Sequence, residues 1–164
     1  MNQYRGSSQH RGGYGGAGRS QRGSPDETVA KHWPDYLKGG YFDADGCLKV
    51  EYVSREKVEP LAQKMAILTI HQVRRYFGHC RAIETRLKSS GASWASVRPE
   101  VKKLDVAAAD GAAKQPPKIP GLFHDFIRRN VDAIKTQKDF LQGFLPHFEA
   151  LVGFGQAHFR KERS

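Results

Sequence analysis

Apolar residues recur at three- and four-residue steps along most of this chain, the spacing of one buried helix face. Val58, Leu61, Ala62 and Met65 mark a first such face behind Ser54, a candidate cap, with Pro60 placed to weaken or kink it. Val73, Tyr76, Phe77, Cys80, Ile83 and Leu87 mark a second, opened by a capping box of Thr69 and Gln72 and closed by Ser89-Ser90-Gly91. Trp94, Val97, Val101, Leu104, Ala108 and Ala112 mark a third. Pro99 belongs in a first turn, so regular helix is expected from near Arg98 up to Pro116-Pro117. Phe123, Phe126, Ile127 and Ile134 form a fourth face, and Phe140, Phe144, Phe148 and Leu151 a fifth, which Pro146 should kink. Their helical spacing reads these phenylalanines as core rather than as a base-stacking surface.

The pattern predicts an all-α fold, a compact bundle of about five helices over residues 54–160. Residues 26–53 read differently. Gly39-Gly40 should stop any short helix through Tyr36 and Leu37. The turn Asp43-Ala44-Asp45-Gly46 then separates Tyr41-Phe42 from the alternating Leu48, Val50 and Tyr52. This is a short, non-helical N-terminal arm with a possible hairpin. The turn opens like a calcium loop, but its twelfth position is Ser54 where a bidentate Glu is required, which excludes calcium. Residues 1–25 hold seven glycines and no Leu, Ile or Val, so they should form a disordered tail. Arg5-Gly6, Arg11-Gly12-Gly13 and Arg22-Gly23, with Tyr4 and Tyr14 between them, are similar to RNA-binding RGG segments.

Charge changes the picture most. The chain has 27 Lys and Arg against 17 Asp and Glu, a net charge of +10. The tail supplies four arginines and no acid, so the rest of the chain keeps +6. That balance favours a polyanionic partner, nucleic acid ahead of a membrane surface. Two isolated cysteines, Cys47 and Cys80, form no CxxC pair and suit a reducing cytoplasm. No apolar run suits a signal peptide or a membrane span, so a cytoplasmic protein without membrane partners is expected. The seven histidines are not grouped at ligand spacing, and neither a phosphate loop nor a GxSxG turn is present. Paired carboxylates of the kind metal-dependent nucleases use are missing too. The reading is a binding protein: no catalytic residue, no metal, no cofactor.

The cations on the second helix are organised. Arg74, Arg81 and Lys88 stand seven apart along one border of the apolar face, while Arg75, His79, Ala82 and Arg86 form a stripe on the solvent side. Glu84 is the single acid of this helix, whereas a merely solvated helix intersperses both signs. The stripes therefore suit phosphate. Lys102, Lys103 and Lys114 on the third helix, with Arg128, Arg129 and Lys135 on the fourth, extend the candidate RNA-binding set.

Four short motifs, in order, carry a family resemblance over about residues 33–160. They are Tyr36-Leu37-x-Gly39-Gly40-Tyr41-Phe42; Leu68-Thr69-x-x-Gln72-Val73-Arg74-Arg75 running on to Arg81-x-Ile83; Phe126-Ile127-x-x-Asn130-Val131 with Phe140-x-x-x-Phe144; and Phe148-Glu149-Ala150-Leu151-Val152. Together they resemble the small subunit of the type III-A CRISPR–Cas (Csm) effector complex. Two departures stand out. Ala107-Ala108-Ala109-Asp110-Gly111-Ala112 replaces an aromatic and a Gly-Arg usual in that family, and Pro146 interrupts the last helix. The resemblance implies a small helical, non-catalytic protein of antiviral defence. Several copies of it stack beside the backbone subunits, near the large subunit, along the crRNA–target RNA duplex. It places cleavage of target RNA on the backbone subunit, and DNase and cyclic-oligoadenylate activities on the large subunit. The residues alone leave two alternatives: a stand-alone RNA chaperone that binds through its tail, and a structural subunit whose basic faces meet acidic proteins.

Overall fold

The computed structural model describes residues 27–162. The tail expected over residues 1–25 lies outside that range. Six α-helices run through the described residues: α1 (Val29–His32), α2 (Arg55–Lys64), α3 (Ile70–Ser89), α4 (Trp94–Ala113), α5 (Gly121–Ala133) and α6 (Leu145–Gly155). No strand forms among the described residues; two isolated bridges, Phe42 with Leu48 and Thr69 with Arg160, are the extended pairings present. The fold is all-α, with five longer helices forming the bundle. Helices α3 and α4 pack side by side, α4 lies on α5, and α6 is wrapped by α2 and α3. The last bridge closes the bundle: Arg160 N–H donates to Leu68 O at 2.8 Å, and Ile70 N–H donates back to Arg160 O at 3.2 Å.

Local chemistry accounts for the helix ends, with two corrections to the sequence reading. The capping box on α3 forms as expected: Gln72 N–H donates to Thr69 Oγ1 at 3.1 Å, and Thr69 N–H donates to Gln72 Oε1 at 3.0 Å. Helix α4 starts at Trp94, not near Arg98, because Ser93 caps it by accepting from Ser96 N–H at 3.2 Å. Pro99 is carried inside the helix; burial of Val97 and Val101 beside it outweighs the one hydrogen bond a proline removes. Ser54 precedes α2 without capping it through its side chain, and its hydroxyl donates instead to Glu51 O at 3.1 Å. Pro146 sits where a π-helical turn, Asp139–Phe144, passes into α6 with the backbone helical throughout, so the departure from regular α-helix falls where the proline was expected to disturb the run.

The arm is short on regular structure but rich in core. Its single bridge, Phe42 with Leu48, is a hairpin of minimal length, and a 3-10 turn at Val50–Val53 replaces the expected alternation. Val50 is therefore 77% exposed while Tyr52 is fully buried. Trp33, Tyr36, Tyr41 and Tyr52 enter the same core as Phe123, Phe126, Phe140, Phe144 and Phe148. Tyr41 packs directly on the π turn: a Cβ at Gly143 would lie 2.6 Å from Tyr41 Cγ. The ring cannot retreat easily, because its hydroxyl donates to Asn130 Oδ1 at 2.8 Å. Gly143→Ala should therefore cost about 1–3 kcal/mol despite the better helix former, read as a lowered urea midpoint at unchanged slope.

Candidate nucleic-acid interface

Helix α3 presents its charge because its other side is spent on the core. Val73, Cys80, Ile83 and Leu87 are buried, and burial pushes the Cys80 thiol up to about 12, so that sulfur is inert packing. Arg74, Arg75, Arg81, Arg86 and Lys88 are all exposed, but their surroundings differ. Glu84 binds both Arg81 (2.7 Å) and Lys88 (2.8 Å), so the one acid of the helix neutralises part of the stripe that borders the apolar face. The Arg81 guanidinium also lies 5.8 Å from the Phe77 ring centre. Arg74, Arg75 and Arg86 make no ion pair within the described residues, and Arg86 acts on Glu100 of α4 at longer range.

The solvent-side stripe of α3 faces α4 across a groove of about 640 Å3. Arg75 and His79 line it from α3, Lys103 and Lys114 from α4, and Lys118 from the loop after α4. Three cations named from sequence thus meet at one place: Arg75, Lys103 and Lys114. Lys103 donates to Glu100 at 3.0 Å, which holds that carboxyl below its usual range, and Lys114 pairs with Asp110 at 2.9 Å. Neighbouring Lys102 is exposed and makes no ion pair within the described residues.

Lys118 was missed by the sequence reading, and helical periodicity holds no signal for it. Its loop returns to the groove through two hydrogen bonds. Gln72 Nε2 donates to Lys118 O at 2.6 Å, and Lys118 N–H donates to Gly111 O at 2.8 Å. The second Gln72 contact means that the residue capping α3 also fixes the third wall of the groove. Tyr76 and Gly111 complete it.

Arg128 and Arg129 are placed elsewhere. Both bind Asp125, at 2.8 Å and 2.7 Å, and Asp125 also accepts the Val29 N–H at 2.8 Å. Burial pushes the Asp125 pKa up, but these hydrogen bonds outweigh it and hold the carboxylate below its usual range. The two arginines thus anchor α1 to α5. Lys135 lies just past α5, exposed, with its backbone N–H on Asp139 at 2.9 Å.

Among the described residues, His32, His79, His124, His147 and His158 have side-chain partners. His79 Nε2 donates to Glu100 O at 3.0 Å, His124 pairs with Asp105 at 3.1 Å, and His158 pairs with Glu59 at 3.1 Å. His147 is wholly buried. Among the described residues no group of three or more His, Cys, Asp or Glu side chains gathers at metal-binding geometry. No helix among them is long and apolar enough to cross a membrane.

A family model described as Csm2 Type III-A matches residues 52–161, about two thirds of the chain. Neither the curated proteins nor the solved structures include a significant match.

Proposed function

The chain belongs to the Csm2 type III-A family, the small subunits of the type III-A CRISPR–Cas effector complex, and on that premise we propose that it holds RNA without cutting it. In this reading several copies stack beside the backbone subunits and grip the phosphates of the crRNA–target RNA duplex, as part of antiviral defence. The large and backbone subunits supply the chemistry.

The observation that carries this reading is the convergence of Arg75, Lys103, Lys114 and Lys118 on one groove, beside the exposed Arg74, Arg86 and Lys102. Cations in such a row neutralise phosphates and read no sequence. Arg81 and Lys88 add to the row while sharing Glu84. Arg128 and Arg129 act mainly on Asp125, and Lys135 stays a peripheral contact. A binding role is further supported by the engagement of His79 and His147, among the described residues, in hydrogen bonds to backbone carbonyls.

The test is isolation of the native assembly through a tag on this chain, with its RNA sequenced and its proteins identified. The expected result is crRNA together with the backbone and large Csm subunits, in more copies of this chain than of the large subunit. RNA without other Csm subunits would support the alternative, a stand-alone RNA-binding protein with an RGG-like tail. Protein partners without RNA contact would leave a purely structural subunit.

A further inference from the structure

Beyond its part in a phosphate-holding row, the α3–α4 groove has the form of a receptor for one unpaired nucleotide. A duplex backbone is convex, and a ridge of cations is enough to follow it. This groove is concave, and each of its walls carries a cation: Arg75 on α3, Lys103, beside its partner Glu100, on α4, and Lys118 on the returning loop. Such a shape receives a group that enters, and about 640 Å3 lies within the range of small-ligand sites.

The walls are built to stay apart at a fixed distance. The loop wall is tied to both helices by the Gln72 and Gly111 hydrogen bonds of Lys118. Gly111 lets the loop lie close, since a Cβ there would be 3.3 Å from Ile119 Cγ1 and would push that side chain back by a few tenths of an ångström. Tyr76 donates to Ala107 O at 3.2 Å, and its ring meets Phe123 edge-on at 5.1 Å, which fixes an aromatic in the groove. Ala107 leaves space beside it. Aromatic surface and facing cations are what an unstacked base and its phosphate require. Asp110, held by Lys114 at 2.9 Å, adds a carboxylate that a ribose hydroxyl can donate to.

We propose that this groove takes up a single unpaired ribonucleotide of the bound RNA, with its phosphate between Arg75, Lys103 and Lys118 and its base against Tyr76 and Ala107. The proposal rests on the RNA-binding reading above, and it adds a preference for unpaired over paired RNA at this site.

The test uses the full chain with AMP, dAMP, inorganic phosphate, and one short RNA offered single-stranded or as a duplex. AMP is expected to bind saturably and roughly tenfold more tightly than phosphate, with dAMP weaker than AMP. Ala107→Trp fills the space while keeping every charge, and Lys118→Gln removes one cation; each should weaken AMP by roughly tenfold. Ala107→Trp should also reduce single-strand affinity more than duplex affinity. Circular dichroism and the unfolding temperature check both variants, and the exposed Lys118→Gln carries the test if the tryptophan disturbs α4. RNA binding that persists while AMP binds no better than phosphate overturns this inference alone. Absence of RNA binding by the unmodified chain overturns the RNA reading and this inference with it.

Discussion

Acidification from neutrality to about pH 4 should strip about 3 kcal/mol from the stability of this protein through His147 alone, and His147→Gln should remove that share of the pH dependence, leaving the share of Asp125. His147 is wholly buried, and burial lowers its pKa from 6.5 to about 4, against a partial opposing effect of its hydrogen bond to Tyr52. Between those values the unfolded chain binds a proton that the native protein refuses, so stability rises with pH across that window. The cause is visible in the hydrogen-bond directions. Asn130 Nδ2 donates both to Phe126 O (2.8 Å) and to the Tyr36 oxygen (2.7 Å). Tyr36 O–H is then left to donate to His147 Nε2 at 2.6 Å, and His147 Nδ1–H donates to Tyr52 O at 2.6 Å. Each proton in this chain has one acceptor. A second proton on His147 would point at the Tyr36 hydroxyl and force that group to give up its own bond, in a fully buried site. The measurement is urea unfolding at a series of pH values: a flat profile for the native chain between neutrality and about pH 4 would show that His147 is not the acid-sensitive group.

The same network shows what sequence can and cannot reveal. The helix faces are legible because Val73, Cys80, Ile83 and Leu87, and the phenylalanines of α5 and α6, repeat at the period of a buried stripe. The capping box is legible because both partners lie within one turn. Contacts between distant segments carry no such period. Nothing about Tyr36 or Tyr41 in an irregular arm marks them as partners of Asn130, ninety-four and eighty-nine residues away. Pro99 misleads for a related reason. Backbone rules alone put Pro99 in a first turn, whereas the Ser93 cap starts α4 earlier, at Trp94. In the candidate site, α3 discloses its arginines because a helix with one acid stands out. The pairing of Arg75 with Lys103 and Lys114 across a groove, and the entry of Lys118 from a loop, depend on how α3 packs on α4. Arg128 and Arg129 are indistinguishable from that set by composition; the position of Asp125, one turn earlier and beneath α1, separates them.

Adjacent residues on α3 should respond in opposite ways, and this gives the largest contrast. Val73 is fully buried, so Val73→Asp forfeits its apolar burial, about 1.5–3 kcal/mol, and adds the several kcal/mol of an unpaired buried charge. That sum is comparable to the roughly 5–15 kcal/mol that holds a domain together, and the variant should be unfolded at room temperature. Arg74 and Arg75 are exposed and make no ion pair within the described residues. Changing both to Ala should leave helicity intact and stability within about 0.5 kcal/mol, since alanine is the better helix former. Their effect belongs to binding: RNA affinity should fall, and the slope of log affinity against log salt should shrink by up to about one for each phosphate left without its arginine. Arg75→Ala alone should account for more of the weakening, because Arg75 lines the groove and Arg74 does not. Circular dichroism separates the folding outcome, and RNA titrations at several salt concentrations separate the binding one. A double variant that folds and binds RNA with the original salt slope, yet fails to enter the effector complex, would move these arginines from RNA contact to contact with a neighbouring subunit.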